Sequence, residues 1–119
     1  GYIETNQQAL RTNGQLSAFS VRGFREKPDG ATAQKFLLQG RFFWNAGVFV
    51  FQVDRMAAHI RALMPKLWAQ CELLKPDLSN LAEIYAEMPS TSIDYGVMEH
   101  LAEQACIPCD IGWSDLGSW

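Results

Sequence analysis

Phe42-Phe-Trp-Asn-Ala-Gly-Val-Phe-Val-Phe-Gln-Val53 is the stretch on which the fold turns. Phe43, Trp44, Val48, Phe49, Val50, Phe51 and Val53 make it almost continuously apolar. A run without polar alternation predicts a strand over Phe42 to Val53 that is covered on both faces, as in a sheet sandwiched between helices. Toward the C-terminus, Asp54 suits the N-cap of a helix over Arg55 to Leu63. Pro65 suits the first turn of another helix, through Leu74. Lys75-Pro-Asp77 is a hinge, and Leu81, Ile84, Tyr85 and Met88 give helical spacing to Leu78 through Met88. Thr91 with Asp94 resembles a capping box, with Asp in place of Glu, opening a helix to about Glu103. Ala105 to Asp110 reads as a last short strand.

Toward the N-terminus the pattern turns to strands. Gly1 to Glu4 reads as the end of one strand, and Asn13-Gly14 is a turn signal closing the polar stretch Gln7 to Gln15. Leu16 to Phe24 alternates, with Leu16, Ala18, Val21 and Phe24 marking a half-buried strand. Pro28-Asp-Gly30 stops it. Ala31 to Gln39 suits a short helix with Phe36 and Leu37 inward and Gly40 just past its end. Strands alternating with helices place the chain in the α/β class, as a single domain over residues 1–119 with no boundary inside it.

Composition excludes several function classes. A chain of 119 residues buries roughly two-thirds of its unfolded surface, enough for one modest core. With 48% hydrophobic and 19% charged residues, the composition is globular rather than disordered. A net charge of -3 argues against nucleic-acid binding, and ten scattered Lys and Arg residues form no polybasic membrane patch. No apolar run approaches the ~20 residues that cross a bilayer. Three cysteines, an odd number, fit a reducing cytoplasm better than a disulfide scaffold. Cys106-Ile-Pro-Cys109 has CxxC spacing, but strand geometry would point its sulfurs to opposite faces, so zinc or redox chemistry is a weak reading.

Four motifs carry candidate chemistry. Phe24-Arg-Glu-Lys-Pro-Asp29 sets Glu26 beside Lys27, an acid for sugar hydroxyls and a cation for a phosphate, just before a proline-fixed turn. On its own Glu-Lys-Pro is a common surface turn. Asn45 sits inside the most hydrophobic stretch, where an unpartnered amide costs about 1–3 kcal/mol. It suits either a sugar hydroxyl at a strand end or a bulge in which it bonds the neighbouring backbone. Gly112-Trp-Ser-Asp-Leu-Gly-Ser-Trp119 places Asp115 among small residues, which suits a metal–phosphate site or the cap of a following helix. Ser92-Ile-Asp-Tyr-Gly-Val-Met-Glu99 is the fourth; Asp94 is explained by capping. His59 and His100 fall on separate helices as surface or boundary residues.

In this order, together with Gly1-Tyr-Ile-Glu4, these motifs resemble the bacterial mannose-1-phosphate guanylyltransferases, including the bifunctional proteins that also carry a phosphomannose isomerase domain. The resemblance runs from one end of the chain to the other. It implies a Rossmann-like nucleotidyltransferase fold, a mixed sheet flanked by helices. It implies a reaction joining mannose 1-phosphate to GTP, with release of pyrophosphate and Mg²⁺ bridging the phosphates. It gives Glu26, Asn45 and the Gly1 backbone to mannose hydroxyls, Lys27 to the sugar phosphate, and Asp115 to Mg²⁺ as one of two carboxylate ligands. Lys27 and Asp115 are then the catalytic pair, acting by position and charge.

Members of that family begin with a glycine-rich loop that cradles the nucleotide phosphates and carry an earlier aspartate for the metal. Neither is in this sequence. The expectation is the sugar-phosphate-binding, C-terminal part of a catalytic domain lacking its N-terminal nucleotide-binding half. Such a part binds mannose 1-phosphate, meets GTP only with that half, and makes no GDP-mannose alone. A noncatalytic sugar-phosphate-binding or assembly module derived from such an enzyme is the alternative. The unpaired sheet edge is expected to favour a homodimer or a strand-exchanged oligomer.

Overall fold

A computed structural model describes residues 1–25 and 28–114, with the backbone alone at Leu37. The chain divides into two compact units, one of Gly1–Phe49 with the described residues from Ala102 onward, the other of Val50–Leu101.

The first unit is built on a hairpin. Strand β1, Tyr2–Asn13, and strand β2, Leu16–Arg25, pair antiparallel around the Asn13-Gly14 turn, with Asn13 opposite Leu16 and Tyr2 opposite Arg25. Gly14 supplies the left-handed backbone of that turn, at φ +60°. β1 is thus much longer than the Gly1-to-Glu4 remnant expected, because the polar Gln7 to Asn13 stretch finds a partner in β2. The register slips between Glu4 and Thr5 and twice more before Arg11. Strand β3, Phe42–Trp44, adds antiparallel to β1, and strand β4, Ala105–Cys106, to β2, giving the order β3-β1-β2-β4. All three pairings are antiparallel. The parallel neighbours of a mixed sheet are not found among the described strands.

Helix α1, Gly30–Leu38, lies between β2 and β3 in the chain. Asp29 caps it, its Oδ1 accepting the Thr32 N–H at 2.7 Å. Phe36 turns inward as the spacing predicts. It stacks on Phe42 at 4.0 Å and meets Tyr2 edge-on at 5.8 Å, while Tyr2 lies against Trp44 at 4.7 Å. Tyr2 and Phe42 are the buried apolar pair here.

The strand expected over Phe42 to Val53 is therefore corrected to its first three residues. The ladder ends where Asn45 N–H donates to the Gly1 carbonyl, at 3.0 Å. Immediately afterwards the Asn45 Oδ1 accepts the Gly47 N–H at 3.0 Å, a local turn completed by Gly47 at φ +68°. Residues 45–52 have no regular secondary structure. Nor is the run covered on both faces: Val48 is 74% and Val50 98% exposed.

The second unit is helical: α2 (Val53–Leu63), α3 (Pro65–Glu72), α4 (Leu81–Ala86), α5 (Ile93–Gly96) and a 3₁₀ turn at Met98–His100. Pro65 opens α3 as expected. Asp54 lies in the first turn of α2 rather than at its cap, which is Gln52. The helix expected from Leu78 begins only at Leu81, because Asn80 is engaged by the preceding loop. Its Oδ1 accepts the Lys75 N–H and its Nδ2 donates to the Leu73 carbonyl. Ser92, not Thr91, caps α5, and that helix stops at Gly96 instead of continuing to Glu103. Met56, Gly96 and Val97 are the buried residues of this unit.

Candidate functional site

The hairpin and β3 bring three of the quoted motifs to one end of the sheet. Gly1 and Asn45 are joined directly by the backbone hydrogen bond that closes the β1–β3 ladder. Arg25, the residue that precedes Glu26 and Lys27, pairs with Tyr2, whose other neighbour is Trp44. Glu26, Lys27 and Asp115, the other candidates, lie outside the described residues, as does the capping alternative for Asp115. Asn45 satisfies neighbouring backbone through Gly47, as the second of its two sequence readings anticipates.

Beside this end lies a charged cluster that sequence reasoning missed. Glu4 is only 6% exposed, yet it is ionisable and sits in the sheet. A buried carboxylate persists only when it is paired and hydrogen-bonded. Both conditions are met: Arg25 Nη2 donates to Glu4 Oε2 at 2.8 Å, and Arg41 Nη2 lies 3.4 Å from Oε1. The two arginines come from different segments, the end of β2 and the residue just before β3. Gly23, directly opposite Glu4, makes room for the first of them. A Cβ there would stand 3.3 Å from Arg25 Nη1. The second is held further, since Thr5 donates to the Arg41 carbonyl from both its N–H (2.9 Å) and its hydroxyl (3.2 Å). The Arg41 guanidinium also lies over the Phe42 ring at 5.5 Å.

Two guanidinium groups around one carboxylate leave this cluster with a net charge of +1. The signal in the sequence was Glu4 itself, an acid at the third position of β1, after Tyr2 and Ile3.

Among the described residues no group of three or more His, Cys, Asp or Glu could hold a metal ion. Cys106 and Cys109 are free thiols, and burial pushes the Cys106 thiol above its ordinary value, with Cys109 adding to the shift. His59 is half-buried and His100 exposed. No helix among the described residues is long and apolar enough to cross a membrane.

The whole chain, residues 1–119, matches the nucleotidyl transferase family. It is 37% identical to the xanthan biosynthesis protein XanB of Xanthomonas campestris pv. campestris (strain B100), over 98% of this chain and 26% of that protein. It is 38% identical to the mannose-1-phosphate guanylyltransferase RfbM of Salmonella typhimurium, over 99% of this chain and 26% of the relative. The mannose-1-phosphate guanylyltransferase of Escherichia coli (strain K12) is 35% identical, over 100% and 26% respectively. The chain thus spans about a quarter of the length of the curated relatives it matches. A hairpin and third strand that gather Gly1, Asn45 and Arg25 at one sheet end, with a family match over every residue, place this chain in the nucleotidyl transferase family.

Proposed function

We propose that the chain is the sugar-phosphate-binding portion of a mannose-1-phosphate guanylyltransferase, inactive by itself, in a cytoplasmic enzyme. The observation that carries this reading is the hydrogen bond between Asn45 N–H and the Gly1 carbonyl, at the sheet end where Arg25 also terminates β2. Residues that the family resemblance gives to the sugar are thereby neighbours in space as well as in motif.

In this reading the Gly1 backbone, Glu26 and Asn45 hold mannose hydroxyls, and Lys27 pairs with the phosphate as a compact cation. A sugar-phosphate oxygen bonds to the α-phosphorus of GTP while the bond from that phosphorus to the oxygen bridging the β-phosphate breaks. The guanylyl group is thereby transferred and pyrophosphate leaves. No covalent enzyme intermediate is needed, so the protein contributes alignment and charge neutralisation. Asp115 would supply one of the two carboxylates that hold a magnesium ion, with phosphates and water as its further ligands. When bound, that ion neutralises phosphate charge. GTP binding needs the remainder of the family's catalytic domain. The exposed apolar run Val48 to Val53 supports a homodimer or strand-exchanged oligomer, which sedimentation at rising concentration measures directly.

The test is an NMR titration of the labelled chain with mannose 1-phosphate, with and without Mg²⁺. Saturable shifts at Gly47 and around Lys27, Asn45 and Asp115 are expected, weaker with glucose 1-phosphate. Lys27→Ala should weaken binding at least about tenfold, as for loss of one charge-assisted hydrogen bond. A folded sample in which saturating sugar phosphate moves none of these resonances would sink the reading.

A further inference from the structure

We propose that Glu4 is a positioning residue for the sugar-phosphate site, locking together the two chain segments that lead into it. The inference rests on the reading above that Gly1 and Asn45, at the sheet end where Arg25 closes β2, meet the sugar phosphate. Glu4 itself touches no ligand in this proposal. It acts through its two arginines.

Each half of the lock has its own geometry. Through Arg25, Glu4 fixes the last residue of β2, one peptide unit before Glu26. Through Arg41, it fixes the residue that starts the β3 segment, four positions before Asn45. Because Glu4 lies in the central strand β1, one carboxylate spans both neighbouring strands, an arrangement no pairwise surface bridge provides. The surroundings are shaped for it. Gly23 leaves the space opposite Glu4 open, so that the Arg25 guanidinium can fold back to it from a position opposite Tyr2. Thr5 secures Arg41 by two hydrogen bonds from the residue next to Glu4. The register shift falls immediately after Glu4, where the pairing skips Arg22, so the ladder is locally interrupted beside the ion pairs. A charged tie supplies what the shifted ladder does not.

A structural ion pair would alter stability alone. A positioning residue alters the order of site residues and the affinity of the site. Two readouts on the full 119-residue chain separate these roles: amide ¹⁵N relaxation at Arg25 and at Asn45 without ligand, and the dissociation constant for mannose 1-phosphate. Glu4→Gln keeps the shape and removes the charge. It should raise fast backbone motion at those amides and weaken binding by on the order of tenfold, in the range expected when support of a ligand-binding group is lost. Glu4→Asp, which keeps the charge, should recover part of both losses. Thr12→Val, which removes the Thr12–Ser17 hydroxyl contact at the far end of the same hairpin, should change neither.

Wild-type order and affinity in Glu4→Gln would overturn the proposal, and so would equal losses in Thr12→Val. Should Glu4→Gln fail to fold, Arg25→Gln and Arg41→Gln, with half-exposed side chains, carry the same comparison. Absence of saturable binding in the wild-type chain would defeat the functional reading instead. The ligand-free relaxation data would still decide for or against the lock.

Discussion

The two units solve the same problem, too little apolar interior, by opposite means. The unit holding β1 to β3 relies on pairings distant in sequence, with a paired carboxylate and a threonine buried alongside Tyr2 and Phe42. The unit from Val50 to Leu101 relies on short helices whose ends are tied locally. Asn80 staples residues 73 to 80, Asp77 accepts the Ser79 N–H at 3.1 Å, and Trp68 donates to Glu72 one turn away at 2.8 Å while lying under Arg61 at 4.6 Å. A nonlocal framework concentrates fixed geometry at one place, whereas a locally tied one distributes it. The candidate site lies on the nonlocal framework.

Phe42→Ala tests that difference most severely. It removes the stack with Phe36 and the ring beneath Arg41, and should cost about 3–4 kcal/mol. Hydrogen exchange should accelerate across β1 to β3 and stay unchanged in α2 and α3; equal acceleration in both would break the comparison. Gly96→Ala is the reciprocal test. Its Cβ would fall 2.5 Å from Met64 Sδ and 2.9 Å from Cε, so the end of the Met64 side chain must swing away, at about 1 kcal/mol net of the gain in helix propensity. Protection should drop in α2, α3 and α5 and stay unchanged across β1 to β3. Leu78→Gly sharpens the contrast at smaller scale. Leu78 holds φ +57° in the loop that Asn80 staples, and it is 53% exposed. Relieving that strain should raise stability by at most about 1 kcal/mol, read by chemical denaturation.

The smallest effect is pH-linked. The Thr32 N–H, and then its side chain, hold the Asp29 carboxyl below the ordinary carboxylate range. Its folded pKa is therefore lower than its unfolded value of about 3.9. The cap then contributes fully above that value, and its contribution fades as pH falls through the folded pKa. Asp29→Ala should reduce the protection of α1 amides at neutral pH and flatten their dependence on pH below about 4.

Legibility followed the same division. Features set within a few residues could be read directly: the Asn13-Gly14 hairpin turn, the opening of α3 at Pro65, and the inward Phe36. The run Phe42 to Val53 could not, because a strand exists only where a neighbour pairs with it, and the ladder to β1 closes at Asn45. Gln7 to Asn13 failed in the reverse sense, as polar residues became strand once β2 lay alongside. Ala105 to Asp110 shortened to two residues, although β2 runs on to Leu16, because Pro108 has no N–H with which to extend the ladder. At the site, Gly1 and Asn45 proved neighbours, but nothing local announces that Glu4 would be enclosed by arginines 21 and 37 positions away. Such a cluster becomes visible only after the strands are in place.

The apolar run Val48-Phe-Val-Phe-Gln-Val53 has a consequence for how the chain behaves in a cell. It has no charge and no proline, combines β-branched with aromatic residues, and presents Val50 almost wholly to water. Six-residue segments of that composition template intermolecular strands. Chaperone binding during synthesis and inclusion-body formation on overexpression should therefore both begin here, and a lysine at position 50 would act as a gatekeeper without removing any packing from the fold.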